Sequence, residues 1–326
     1  MSRRSTMGWM AGLAGCSALA LCAGVYVGYS RGIPFTKQER QWSVAIYSGP
    51  SPFDLTDAPG ASNPVLTAAD VTDVNADFVA DPFLVREGDN WFLFIEVLNS
   101  ANRQGDIGVA TSADGLHWKY ERIVLDEPFH LSYPHVFKWD GQYYMIPESY
   151  EANWTRLYRA DEFPFKWSRA ADLIRDDIVD PSIVRYIDRW WLFASANARG
   201  NDKLALWSAD ELTGPWVLHP ASPLIIGDGH ISRPGGRVID VDGRLFRFAQ
   251  DDRPDYGLKI HAFEITKLTA TEYEERPHPL NPILKGSGRG WNAAGMHQLD
   301  AQRMADGRWI AAVDGHRFVN VYGWNY

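Results

Sequence analysis

Short apolar runs, each broken by a polar turn, recur along this chain in one repeated order. From Asp81 to Glu96, the run Pro82-Phe83-Leu84-Val85, the turn at Gly88-Asp89 and the run Trp91-Phe92-Leu93-Phe94-Ile95 predict a strand, a tight turn and a returning strand. The same order returns from Tyr133 to Glu148 and from Asp180 to Ser195, with the same spacing. A fourth copy runs from Gly235 to Gln250, and a looser fifth covers 296–314. Five hairpins at a period of roughly 50 residues predict an array of small sheets. After the hairpins come third strands at 105–112, 203–208 and 257–263, and fourth strands near Trp118, Trp167 and Trp216. The fifth unit is short of strands, and the segments 41–49 and 63–67 are the natural donors to complete it. The prediction is therefore an all-β, five-bladed β-propeller over 41–326, closed by N-terminal strands that complete the last blade.

The start of the chain reads differently. Arg3 and Arg4 precede an uncharged run over 7–29, long enough to span a bilayer as a helix and to export the remainder of the chain. Residues 1–30 thus read as a permanent membrane anchor, a cleaved signal peptide or, around Leu13-Ala14-Gly15-Cys16, a lipoprotein signal, with 31–40 as a linker. Each of these places the propeller outside the cytoplasm, in the periplasm or at the cell surface. Both cysteines, Cys16 and Cys22, fall inside this segment, so thiol and disulfide chemistry is excluded from the propeller.

A net charge of −9 with no basic stripe argues against a nucleic-acid partner. Fourteen Trp and fourteen Tyr suit strands and also flat platforms for sugar rings, so a saccharide or glycoconjugate is the expected partner. In a propeller, the inner strand of each blade lines a central channel. Asp81, Tyr133 and Asp180 stand at equivalent strand starts, and Asp81 and Asp180 precede proline, which favours an extended backbone there. Second-strand ends bring Glu96, Glu148 and Asp314 to the same opening, and nearby loops bring Asn197 and Asp251. His135 belongs to the second inner strand. Converging carboxylates are what acid–base work on a glycosidic bond requires. The expected catalytic set is Asp81 as base or nucleophile, Glu148 as acid and Asp180 as orienter.

Blade four opens on His230-Ile231-Ser232-Arg233-Pro234-Gly235-Gly236-Arg237. Its His230, Arg233 and Arg237 form a corner suited to sugar hydroxyls or an anion, with glycines that let backbone approach a ligand. Trp291 sits in the glycine-rich loop before blade five, and His297 opens that blade's inner strand. No cofactor is required. His297 is the one candidate metal ligand, and any ion there would be a hydrated Ca2+ or Na+ in the channel.

The arginine-glycine corner, together with Gly295-Met296-His297-Gln298-Leu299-Asp300, resembles the propeller domain at the N-terminus of plant glucosamine inositolphosphorylceramide transferases and its stand-alone bacterial relatives. In the plant proteins, the resemblance assigns transferase chemistry to a separate C-terminal domain, outside the stretch this sequence matches, so that activity is not expected of the propeller itself. More distantly, the layout is similar to five-bladed glycosidases such as arabinanases, levansucrases and invertases. That likeness implies a base or nucleophile at Asp81, an orienting acid at Asp180 and a blade-five His297 beside a hydrated cation. Where the arabinanase type has an acidic Glu at the opening of blade four, this chain has Arg233, leaving Glu148 to act from another blade. A hydrolase or transglycosylase and a glycan-binding propeller accessory to glycan or glycolipid synthesis both stay open, with phosphorolysis at the arginine corner as a third reading.

Overall fold

The computed structural model describes residues 36–197 and 200–322. The apolar run 7–29, expected to be a signal or anchor, lies outside them. Among the described residues, no helix is long and apolar enough to cross a membrane.

Five antiparallel sheets follow one another along the chain. Blade I comprises Ala76–Glu87, Asn90–Asn99, Gln104–Ser112 and Lys119–Leu125. Blade II comprises Ser132–Trp139, Gln142–Glu148, Thr155–Glu162 and Lys166–Ile174. Blade III uses Val179–Tyr186, Arg189–Ser195, Lys203–Ala209 and Val217–Leu218, with Ile225–Ile226 added beside its third strand. Blade IV uses Ile239–Val241, Arg244–Asp251, Lys259–Leu268 and Tyr273–Pro277, with Leu284–Lys285 added likewise. In blade V the order from the inside is Leu299–Arg303, Trp309–Tyr322, Thr36–Ser51 and Asp54–Asp57. The ring is closed by N-terminal strands, as the missing strands of the last repeat require. Residues 41–317 form one compact unit; of the described residues outside it, Arg40 lies over the Phe318 ring.

Two details of the closing blade differ from the sequence reading. The strand expected to begin at 41 already starts at Thr36, so 36–40 is ladder rather than linker. The outermost strand is Asp54–Asp57, not 63–67. The latter stretch makes one isolated bridge, Val44 to Leu66, and Thr67 then caps a short 3-10 turn. Asn63 ties this loop down by bonding both backbone groups of Ile46, which leaves the side of the sheet expected for 63–67 to Asp54–Asp57.

The core has no centre. Five apolar clusters lie in the gaps between neighbouring blades: for example, Phe94, Val109, Val136, Met145 and Trp167 join blades I and II, and Ile146, Leu173, Ile183 and Leu192 join II and III. Both faces of a middle strand are therefore covered, which is why its apolar residues run on without alternation. Asp140-Gly141 and Asp242-Gly243 take positive φ at both positions, the hairpin turn that Asp-Gly favours.

Candidate functional site

The inner strands of blades I, II and III begin with the same irregularity. The pairing slips by a residue between Ala80 and Phe83, Ser132 and His135, and Val179 and Ser182. The residues at the slip, Asp81, Tyr133 and Asp180, have φ of 52°, 47° and 53°. An extended backbone was expected before proline. The bulge overrides that preference because each residue must turn out of the ladder and face the channel. Hydrogen bonds across blades hold the turn: the Asp81 amide donates to Asp314 Oδ2 at 3.0 Å, and the Tyr133 amide donates to Asp81 Oδ2 at 3.1 Å.

All five blades meet here. Arg233 of blade IV donates to Asp180 of blade III through Nε (2.5 Å) and Nη2 (3.2 Å), and its Nη2 lies 3.5 Å from Glu148 of blade II. Gln250 donates to Asp180 as well, at 2.6 Å. In blade V, Asp314 accepts the amides of His297 and Gln298 and bonds His297 Nδ1 at 2.8 Å. His297 Nε2 then faces Asp81 Oδ1 of blade I at 3.6 Å. Trp42 stacks on the His297 ring at 4.0 Å, and Tyr256 lies edge-on to it and under the Arg233 guanidinium.

Asp81, Glu96, Glu148 and Asp180 are only 6, 6, 4 and 1% exposed, so charge is expensive at this floor. Burial lifts Asp81 to about 7, with attraction to His297 opposing and repulsion from Asp180 and Asp314 adding. Glu96 is pushed well above the ordinary range by burial and by the charges of Asp81, Glu148, Asp314 and Asp180. Glu148 rises likewise through burial and Asp180, against the pull of Arg233. For His297, burial favours the neutral ring, but Asp314 outweighs it and raises the group to about 9.

Asp81, His297 and Asp314 each offer one ligand atom, all within 4.8 Å of one another. Both Asp314 oxygens already accept hydrogen bonds, and His297 is drawn toward its protonated form. The set is a poor fit for Ca2+, which takes six to eight oxygen ligands.

The remaining expected site residues divide. His135 and Arg237 point down the channel rather than at its mouth. His135 is stacked on Phe83 and only 1% exposed; Arg237 is bonded to Asp300 and the Val136 carbonyl. Their positions further along the inner strands carry them away from the opening. The expected ligand-facing glycines instead admit the next blade: a Cβ on Gly236 would sit 1.9 Å from the Leu299 carbonyl oxygen. His230 bonds Asp251, at the end of blade IV's second strand, which also faces Lys259 and His261 of the third. Asn197 bonds Asp202 within its own loop. Trp291 lines a separate groove of about 460 Å³ with Gln41, Asn63 and Arg317. Sequence reading missed three residues at the floor. Trp42 belongs to the closing strand, Tyr256 to a loop without regular structure, and His130 to the link between blades I and II. His130 Nε2 lies 3.5 Å from Glu96.

Comparison with known proteins bears on the fold and on the family. The catalytic domain of the Coprinopsis cinerea family-62 α-L-arabinofuranosidase has a similar fold, with a TM-score of 0.54 at 11% identity, over 85% of this chain and 96% of that one. Glucosamine inositolphosphorylceramide transferase 1 of Oryza sativa subsp. japonica is 40% identical over 86% of this chain, and that of Arabidopsis thaliana 36% over the same share. The chain spans about 40% of the length of these curated relatives. The family model described as glucosamine inositolphosphorylceramide transferase 1, N-terminal, matches residues 35–316, and the chain belongs to that family.

Proposed function

We propose that this chain is a carbohydrate-active enzyme that cleaves or transfers a glycosidic bond by acid–base chemistry at the mouth of the propeller. One observation carries the reading: five buried carboxylates from four blades, Asp81, Glu96, Glu148, Asp180 and Asp314, share an opening in which, among the described residues, Arg233 is the arginine paired with them. A site meant only to hydrogen-bond hydroxyls has no need to crowd acids until their protons are retained. Asp81 is the base or nucleophile. It is poised near neutrality, it projects from a bulge, and its Oδ1 is not committed to a backbone amide. His297, fixed by Asp314 and stacked on Trp42, stabilises the Asp81 carboxylate when it forms. Asp180, clamped by Arg233 and Gln250, is the group that orients sugar hydroxyls. Glu96 and Glu148 are the two buried acids available as proton donor.

The relatives are named as transferases of a glycolipid, which supports a glycoconjugate as substrate. The apolar run over 7–29 supports an extracytoplasmic, membrane-associated placement, tested by fractionation and protease protection of the full chain. Arg233 favours a second reading. A full cation beside Glu148 and Asp180 weakens either as an acid, and a glycan-binding propeller would tolerate it. The test is a screen of cell-envelope glycans, scored separately for binding and for new reducing ends. Turnover supports the enzyme; saturable binding without turnover supports the binding module.

A further inference from the structure

The two candidate acids differ in what surrounds them. Glu148 lies 3.5 Å from the Arg233 guanidinium, which also clamps Asp180, so this acid stands beside a permanent cation and a second carboxylate. Glu96 has neither constraint. Among the described residues, the one basic group within ion-pair distance is His130, whose Nε2 stands 3.5 Å from Glu96 Oε1. The tautomer of His130 is set by its other nitrogen. Nδ1 lies 2.9 Å from the Gly105 amide, which can only donate, so Nδ1 carries the lone pair and the neutral ring holds its proton on Nε2, facing Glu96. The His130 amide is fixed in turn by Glu151 at 2.9 Å. Glycine at 105 makes the arrangement fit: a Cβ there would come 2.3 Å from the Leu131 carbonyl oxygen, 2.8 Å from His130 Cε1 and 2.9 Å from Glu96 Oε1.

We propose that Glu96, with His130 as its positioning residue, is the proton donor to the departing oxygen. This inference rests on the glycosidic reading of the site. The bond between the anomeric carbon and the leaving oxygen breaks with its electron pair going to that oxygen, and the Glu96 carboxyl proton completes the new hydroxyl. A water oxygen, or an acceptor hydroxyl, bonds the anomeric carbon and gives its proton to Asp81. Glu96 ends as a carboxylate and Asp81 as an acid, and exchange with solvent resets both. A neutral N–H donor suits this role better than a cation. It stabilises the carboxylate as it forms, without ionising the acid beforehand. The charges of Asp81, Asp180, Glu148 and Asp314 also face Glu96 and favour retention of its proton before the reaction.

Leaving-group dependence separates a proton donor from every other role, because a good leaving group needs no protonation. The full-length protein is assayed on alkyl and 4-nitrophenyl glycosides of the same sugar. Glu96→Gln should lower kcat/KM for the alkyl glycoside by roughly 10²–10⁴-fold and for the nitrophenyl glycoside by far less. Glu148→Gln should affect both substrates alike. His130→Ala should shift the basic limb of the kcat/KM profile to higher pH, since the Glu96 carboxylate loses its donor; a merely structural role would leave that limb in place. If the wild type turns over glycosides and Glu96→Gln slows both equally, or if Glu148→Gln shows the leaving-group signature, this inference fails alone. If no glycoside is turned over by the wild type, the enzymatic reading fails and takes it along. Carboxyl carbon NMR adds a readout without substrate: the resonance lost in Glu96→Gln should titrate well above the ordinary carboxyl range, and titration within or below that range would overturn the assignment.

Discussion

The two halves of the propeller mouth are built from similar acids and differ in where positive charge is fixed. On the side of blades II to IV, Asp180 is held by two nitrogens of Arg233 and by Gln250, and Glu148 leans on the same guanidinium. On the side of blades V and I, Asp81 faces an imidazole at 3.6 Å, and Glu96 faces another at 3.5 Å. An arginine is charged at every accessible pH, whereas an imidazole is neutral or charged as its surroundings dictate: burial lowers His130, and at His297 burial is outweighed by Asp314. The first half is thus an anchor with settled charge. The second pairs its carboxyls with imidazoles, and the proposed acid–base chemistry is accordingly given to Asp81 and Glu96 rather than to the pair beside Arg233.

The largest effect is expected from removing the fixed cation. Arg233→Met strands the Asp180 charge in a buried site and should cost about 3–5 kcal/mol of stability, read by urea denaturation. Asp180→Asn added to it should recover part of that loss; no recovery would mean that Arg233 acts through Tyr256 and packing rather than through charge. On the other half, Gly105→Ala should force Glu96 and His130 apart and lower turnover by roughly tenfold or more, with binding of the same glycan largely kept. Equal loss of both would make Gly105 a folding residue only.

Titration sharpens the contrast further. Turnover should rise as Asp81 loses its proton through about pH 7 and fall again at higher pH as the buried acid ionises, giving a bell. Stability should run one way. Asp81, Glu96, Glu148 and His297 all have native values raised above their unfolded ones, so the native state binds more protons. Their contribution is complete below about pH 4 for the carboxyls and is lost as pH climbs through the raised values, near 7 for Asp81 and near 9 for His297. Melting temperature should therefore fall from pH 6 to pH 9, and a flat or rising profile would contradict the buried-acid picture. The smallest expected effect is that of EDTA, which should leave both turnover and melting temperature unchanged.

Much of the fold was readable because the repeat is physical. Each hairpin needs a tight turn, Asp-Gly at 140–141 and 242–243, and apolar residues for the gap between blades, and both leave marks in the chain. The equivalence of Asp81, Tyr133 and Asp180 was visible for the same reason. The bulge at these residues was not, because proline after them argued for extended backbone while hydrogen bonds from other blades decided the matter. Asp54–Asp57 was hidden in a Pro- and Gly-rich stretch, and its pairing depends on where Asn63 pins the next loop. His130 and Tyr256 lie in loops, where neither period nor spacing predicts direction. Arg237 and His135 looked like ligands because their types are polar. Their depth in the channel is a matter of strand register, and partners such as Asp300 show only once the blades are assembled.

The most direct test of acid–base chemistry at this mouth is a time course of new reducing ends released from cell-envelope glycans by the wild-type chain and by Asp81→Asn, with binding of the same glycans measured in parallel. The expected result is steady release by the wild type and a fall of about 10²–10⁴-fold in the variant, with binding retained by both. Binding by both proteins with no release by either, or undiminished release by Asp81→Asn, would contradict it.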